Sequence, residues 1–128
     1  MHEKQIEIRW RDVDAYNHVN NSVYLTYLEE TRDEWIERVL EGLADPWDFV
    51  LARVAVDFRR ELRQEDDVVI VSVRLERLGT SSVCLREEIR TAAGELAAES
   101  EAVIVARDRE TGRSRPLTPA EREALGRG

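Results

Sequence analysis

The chain has 128 residues, 42% of them hydrophobic and 36% charged, with a formal net charge of −8. That length supports one core and not two, and the composition is that of a folded protein rather than a disordered one. The acidic balance argues against a nucleic-acid binder, which presents a basic stripe, yet leaves room for a small anion held by a few local arginines.

Residues 4–11 alternate, with Ile6, Ile8 and Trp10 on one face and Glu7, Arg9 and Arg11 on the other, the period of a half-buried strand. Asp12 to Asn21 breaks that period, and Asn20, Asn21 or Ser22 can cap the helix expected from about Ser22 to Glu41, which Gly42 stops. Tyr24, Leu25, Leu28, Trp35, Ile36, Val39 and Leu40 return to one side of this helix. Glu29, Glu30, Arg32, Asp33, Glu34, Glu37 and Arg38 take the other. Asp45-Pro46 marks a turn. A strand over 49–59 then places Val50, Ala52, Val54, Val56 and Phe58 on a shared face, and Val69, Val71, Val73 and Leu75 form the next buried row.

Gly79-Thr80-Ser81 breaks that strand. Val83, Leu85 and Ile89 mark another, ending in a hairpin at Ala93-Gly94, and a last strand runs from Leu96 to Arg107. Thr118, Pro119 and Glu121 read as an N-cap, a first-turn proline and a capping-box acid for a short helix over 118–125. Neither a repeat nor a βα alternation is visible. The expected class is α+β, a single domain over 1–128 in which one long helix is wrapped by a curved antiparallel sheet of about five strands.

The one cysteine, Cys84, lies in a strand pattern and excludes an intrachain disulfide, which fits a reducing compartment. The N-terminal residues lack an apolar signal core and no later run approaches membrane-spanning length. A cytoplasmic protein with no membrane partner is the expectation. His2, His18 and Cys84 have no metal-ligand spacing, so neither a metal nor another cofactor is expected.

Chemistry concentrates in Arg9 to Glu30, where Asp12, Asp14, His18, Asn20 and Asn21 stand immediately before a helix start. Unpaired N–H groups and the positive dipole end of a helix can receive an anion or a polarised carbonyl oxygen. Asp14 and His18 are acid–base candidates beside it. Asp12 and Asp14 also suit turns closed by side-chain to backbone bonds, and Asn20 and Asn21 suit caps.

Asp12-x-Asp14, His18-Val19-Asn20-Asn21, Tyr24-Leu25, Tyr27-Leu28-Glu29, Val56-Asp57-Phe58 and Leu78-Gly79-x-x-Ser82 together resemble hotdog-fold thioesterases of the 4-hydroxybenzoyl-CoA thioesterase type. The resemblance implies a homodimer or homotetramer with sheets joined edge to edge, active sites between subunits and an acyl-CoA substrate. It implies Asp14 as the catalytic carboxylate, attacking the thioester or activating water, and His18 as the group that orients water or substrate. Backbone N–H groups over Ser22 to Tyr24 are the implied oxyanion donors, which puts Tyr24 in the catalytic set. Asn20, Asn21, Ser22, Val23, Arg59, Arg60, Ser81 and Ser82 are the implied substrate-binding residues, with Arg107 a further candidate for the CoA phosphates.

The chain departs from the pattern in three places. The hydroxybenzoyl-CoA enzymes lack a histidine where His18 stands, so a fatty or branched acyl group is expected instead. Acyl-ACP thioesterases share the H-V-N-N block but place an asparagine where this chain has Tyr16. Glu61 replaces the proline usual after the D-F-x-R of the second strand. The alternatives are a non-catalytic acyl-thioester-binding hotdog protein and an acyl-ACP thioesterase. A helix carboxylate, Glu29, is the minor candidate for catalysis.

Overall fold

The computed structural model describes residues 1–128 and contains two helices and one five-stranded antiparallel sheet. Strand β1 (His2–Glu7) leads through a 3₁₀ turn at Trp10–Asp12 into helix α1 (Asn21–Val39). Strands β2 (Phe49–Phe58), β3 (Val68–Leu78), β4 (Ser82–Thr91) and β5 (Leu96–Ala106) follow, and helix α2 (Pro119–Arg127) closes the chain. The sheet order is β1-β3-β4-β5-β2, so β1 and β2 are its edges. No helix is long and apolar enough to cross a membrane. The α+β hotdog architecture expected from the sequence is the one observed.

Helix α1 lies across the inner face of β1, β3 and β4. Tyr27, Leu28, Trp35 and Ile36 meet Val69, Val71, Val73, Leu85 and Ile89 in two apolar clusters that fill the space between helix and sheet. Burying such side chains contributes about 1.5–3 kcal/mol each and accounts for most of what holds the layers together. Asn20 caps the helix, its side chain accepting from the Ser22 N–H. Thr118 and Glu121 make the reciprocal capping box read from the sequence, at the start of α2.

Four details differ from the sequence reading. β1 ends at Glu7; Ile6 and Ile8 are buried as expected, but Trp10 sits in the 3₁₀ turn and is 84% exposed. On α1, Leu25 is exposed, whereas Arg32, assigned to the solvent side, is buried. Its guanidinium forms a two-pronged ion pair with Glu87 of β4, at 2.8 and 2.9 Å. The fourth difference is a bulge in β2 between Leu51 and Arg53. The extra residue reverses the alternation, because one inserted residue flips every later side chain to the other face. Phe49 and Leu51, paired with Ala106 and Ile104, therefore share the inner face with Val54, Val56 and Phe58, while Val50 pairs with Val105 on the outer face.

Because α1 covers β1, β3 and β4, a groove of about 360 Å³ remains between the helix and β2. Ile36, Phe49, Leu51 and Ile104 give it apolar walls, Trp47 stands at its rim, and Glu29 and Arg32 line its helix side.

Candidate active site

The loop before α1 is built from its first aspartate outward. The Asp12 carboxylate, 6% exposed, accepts the Arg9 N–H at 2.9 Å and the Tyr27 hydroxyl at 2.7 Å. Burial and this bond to Asp12 push the Tyr27 hydroxyl far above its ordinary value, so Tyr27 stays protonated and donates. Asp12 is thereby a strut between the loop and α1. A backbone bridge between Val13 and Val19 closes the loop, and Asn17 occupies its tip with φ 61°, a conformation asparagine tolerates better than most residues.

That left-handed residue turns the backbone so that two N–H groups converge on Asp14. Oδ1 accepts from Tyr16 at 2.9 Å and from His18 at 3.2 Å, whereas Oδ2 has no partner within the chain. The Tyr16 and His18 N–H groups hold the Asp14 carboxyl below its ordinary value, since both bonds favour the anion. Asp14 is therefore an oriented, ionised carboxylate with one oxygen available.

Asp14, His18, Asn20, Asn21 and Tyr24 come together with Val19 and Glu61 around one open pocket of about 290 Å³. The His18 Nε2 atom lies 3.2 Å from Glu61 Oε2, which sets the two side chains next to each other at the pocket. Glu61 is the functional candidate that sequence reasoning missed. The available signal was its position, where the resembled family has proline.

Tyr24 enters the site by a different route from the one expected. Its hydroxyl donates to the Arg60 carbonyl and accepts from the Leu62 N–H, both at 3.0 Å, gripping the residues on either side of Glu61. Its ring packs edge-on against Phe58, with centroids 5.1 Å apart. The two bonds fix the backbone on either side of Glu61, and burial raises the pKa of the hydroxyl further from neutrality. Replacing it, Tyr24→Phe, removes both bonds and strands the buried Leu62 N–H. An expected loss of about 1–3 kcal/mol in urea denaturation should accompany a fall in kcat through the loosened His18–Glu61 pair.

The first turn of α1 also distributes its donors unevenly. The Ser22 N–H is taken by the Asn20 side chain and the Val23 N–H by the Asn20 carbonyl, each at 2.9 Å. The Asn21 N–H makes no hydrogen bond within the chain, so it is an available donor immediately before the Ser22 to Tyr24 segment.

The other residues singled out in the sequence are not in this pocket. Arg59 lies between Glu99, at 3.4 Å, and Asp57, at 3.8 Å. Arg60 is bound to Asp66 and Glu95. Ser81 and Ser82 occupy the β3–β4 turn, at the opposite end of an eleven-residue strand from the loop, roughly 35 Å away along the chain direction. Glu29 lines the α1–β2 groove instead. Cys84 is buried in β4. No three His, Cys, Asp or Glu side chains converge as metal ligands would.

This geometry can be set against known proteins. Residues 8–125 match the family model described as the thioesterase-like superfamily. The chain belongs to that superfamily. A thioesterase from Thermus thermophilus, solved in complex with coenzyme A and Zn, is 35% identical with a TM-score of 0.87, over 97% of this chain and 90% of that one. A predicted thioesterase from Bacillus stearothermophilus is 27% identical with a TM-score of 0.89, over 98% and 94% of the two chains. The long-chain acyl-CoA thioesterase FadM of Escherichia coli is 27% identical over 96% of each chain. The two solved thioesterases share the fold over nearly the whole of this chain.

Proposed function

We propose that the chain is an acyl-CoA thioesterase in which Asp14 attacks the thioester carbonyl carbon. The observation that carries this reading is Asp14 itself: an ionised carboxylate, aimed by two backbone N–H groups, with an unpaired oxygen beside an unpaired helix N-terminal amide. The carbonyl oxygen would rest on the Asn21 N–H, where the helix dipole favours developing negative charge. Attack by Asp14 forms an acyl–carboxylate anhydride and expels CoA as the thiolate. Water then adds to the anhydride, losing a proton to His18, and releases the free acid with the Asp14 carboxylate restored. Asp14 is held ionised, as both direct attack and activation of water require.

The same reading includes a dimer and a cytoplasmic location. Edge strand β2 is ten residues long, and Leu51 and Phe58 on its inner face are each 46% exposed. Antiparallel pairing with β2 of a second copy, about a twofold axis, covers that surface and extends the sheet. It also sets the Phe58 end of one β2 beside the Phe49 end of the other. The α1–β2 groove of one protomer then faces the Asp14 pocket of its partner and supplies apolar walls for an acyl chain. The H-V-N-N segment, and a relative named for long-chain acyl-CoA, support an aliphatic rather than a hydroxybenzoyl substrate.

Thiol release from a panel of short, long and aromatic acyl-CoAs, read with Ellman's reagent, tests the function. Turnover is expected to be greatest with aliphatic chains. Absence of turnover across the panel, with acyl-CoA still bound, would mean an acyl-thioester binder, and neither turnover nor binding would point to acyl-ACP.

A further inference from the structure

Of the arginines paired with carboxylates, Arg32 alone is buried. Its side chain is 5% exposed, and that of its partner Glu87 is fully covered. Packing supplies no reason for charge at this point, since apolar side chains of similar volume hold such a contact at least as well. The geometry of the pair supplies one. Glu87 takes Nε and Nη2 of the guanidinium, at 2.8 and 2.9 Å, and leaves Nη1 with no acceptor in the chain. Nη1 is not sealed in either, because the enclosed polar atoms without a partner are Trp35 Nε1, Gln64 Oε1 and Ser100 Oγ. Arg32 lines the α1–β2 groove, so the Nη1 N–H groups open into that space. A planar fork gripped at two nitrogens cannot swing, which aims the third.

The groove around this nitrogen has two kinds of wall. Ile36, Phe49, Leu51 and Ile104 suit methylene groups, whereas Glu29 and Asp33, one helical turn apart, border the helix side. The ion pairs of α1 take in Glu30, Arg32, Glu34 and Arg38 and leave these two carboxylates without a cation. Partial desolvation and the Glu29 charge raise the Asp33 carboxyl above its ordinary value, with Arg32 acting against them, so the three groups share one field. Arg107, the other cation on the groove, is turned to the Trp47 carbonyl at 3.3 Å.

These walls discriminate among acyl chains. A wholly apolar chain would strip water from Nη1 and offer no acceptor in return. A chain ending in a carboxylate would meet Glu29 and Asp33, while Glu87 already cancels the charge of Arg32. A hydroxyl accepts from the guanidinium and can also donate to a carboxylate, and so satisfies both.

We propose that the α1–β2 groove selects an aliphatic acyl group carrying a hydroxyl, which accepts from Arg32 Nη1 and donates toward Glu29 or Asp33. This rests on the thioesterase reading and on the groove as the place of the acyl chain. Arg32 is then a specificity residue, and Glu87 is the group that aims it.

The test sets dodecanoyl-CoA against its monohydroxylated forms, with the hydroxyl moved along the chain, and against the form with a terminal carboxylate. At least one hydroxylated form is expected to exceed the unsubstituted chain in kcat/KM by about tenfold, the equivalent of one charge-assisted bond. The carboxylate form should fall below the unsubstituted chain. In Arg32→Met/Glu87→Leu the advantage of the hydroxyl should vanish, whereas Arg86→Gln, on the outer face of β4, should leave it as it was. Arg32→Lys keeps the charge beside Glu87 but has no second nitrogen to present. It should lose the advantage as well, and it serves where the double variant does not fold. An advantage that survives in these Arg32 variants, no advantage at any hydroxyl position in the unaltered protein, or a preference for the carboxylate form overturns the inference. Should no acyl-CoA be hydrolysed, the thioesterase reading fails, and calorimetric titration with the same panel decides this one separately. Affinity about tenfold higher for a hydroxylated form supports it, and equal affinities overturn it.

Discussion

Asp14→Asn is expected to lower kcat by about 10³-fold or more while leaving the fold intact, because it removes the attacking anion and little else. The amide is nearly isosteric, and its oxygen can still accept the Tyr16 and His18 N–H groups that Oδ1 accepts now. The loop should keep its shape, and denaturation midpoints should coincide. The pH profile supplies an independent check. Asp14 is held below its ordinary value of 3.8, so its charge is lost only as pH falls through that lowered value. The acidic limb of kcat/KM due to Asp14 should accordingly lie below the usual carboxylate range, with essentially full ionisation above about pH 5. Acid quenching of a single turnover, followed by peptide mass analysis, would look for the acyl group on the Asp14 peptide. Thiol and free acid appearing in step, with no such adduct, would replace direct attack by water activation. Full turnover in Asp14→Asn would remove this carboxylate from the mechanism altogether.

The largest expected effect on stability belongs to the ion pair between α1 and β4. Arg32 is 4% exposed and Glu87 1% exposed, and both nitrogens of the guanidinium that face the carboxylate are bonded to it. Glu87 stands opposite Val73 and Ser100 in the ladder, on the face that packs against the helix. Glu87→Leu would leave the guanidinium without its counter-charge in a low-dielectric setting. Removing one partner of such a pair typically costs about 3–5 kcal/mol, which corresponds here to a drop in Tm on the order of 10–20 °C. Replacing both members, Arg32→Met with Glu87→Leu, removes the charge and the desolvation penalty together, so most of the loss should be recovered. Urea denaturation of Glu87→Leu, Arg32→Met and the double variant forms the necessary cycle. A Glu87→Leu change of less than about 1 kcal/mol would mean that the buried guanidinium finds another way to be solvated.

This pair also marks where the sequence stops being legible. The helix, the five strands and their antiparallel order follow from periodicities that tertiary packing does not oppose, and the caps at Asn20 and Thr118 follow from their chemistry. Arg32 sits among Glu29, Glu30, Asp33 and Glu34, so helical position alone assigns it to solvent; only a complementary acid fifty-five residues later brings it inside. Trp10 continues the alternation of β1 in letters, yet the chain has already turned to present Asp12 to Tyr27. The β2 bulge leaves no mark in a run of small and β-branched residues, so the row from Val50 to Phe58 reads as unbroken.

At the site, Asp14, His18 and the helix start could be found from residue type and motif. The role of Tyr24 could not, because a hydroxyl that spans Arg60 and Leu62 is a tertiary contact across thirty-six residues or more. Glu61 was visible only as a departure from a pattern. Its pairing with His18 needed the two loops to be seen side by side. Arg59 and Arg60 were reasonable phosphate ligands as residue types, but their carboxylate neighbours come from β5, the β4–β5 turn and the β2–β3 connection.

The two margins of the sheet are chemically unequal, and that governs how the protein behaves when concentrated. The β2 margin is ten residues long and apolar on its inner side, whereas the β1 margin has six residues, with Glu3, Lys4, Gln5 and Glu7 among them. A margin of the first kind recruits a like strand; one of the second kind repels it, because short, charged, mixed-sign strands make poor templates. In the proposed dimer, strand addition therefore closes after a single step: two sheets merge through β2, the product exposes only β1 margins, and nothing remains to propagate a ribbon or a fibre.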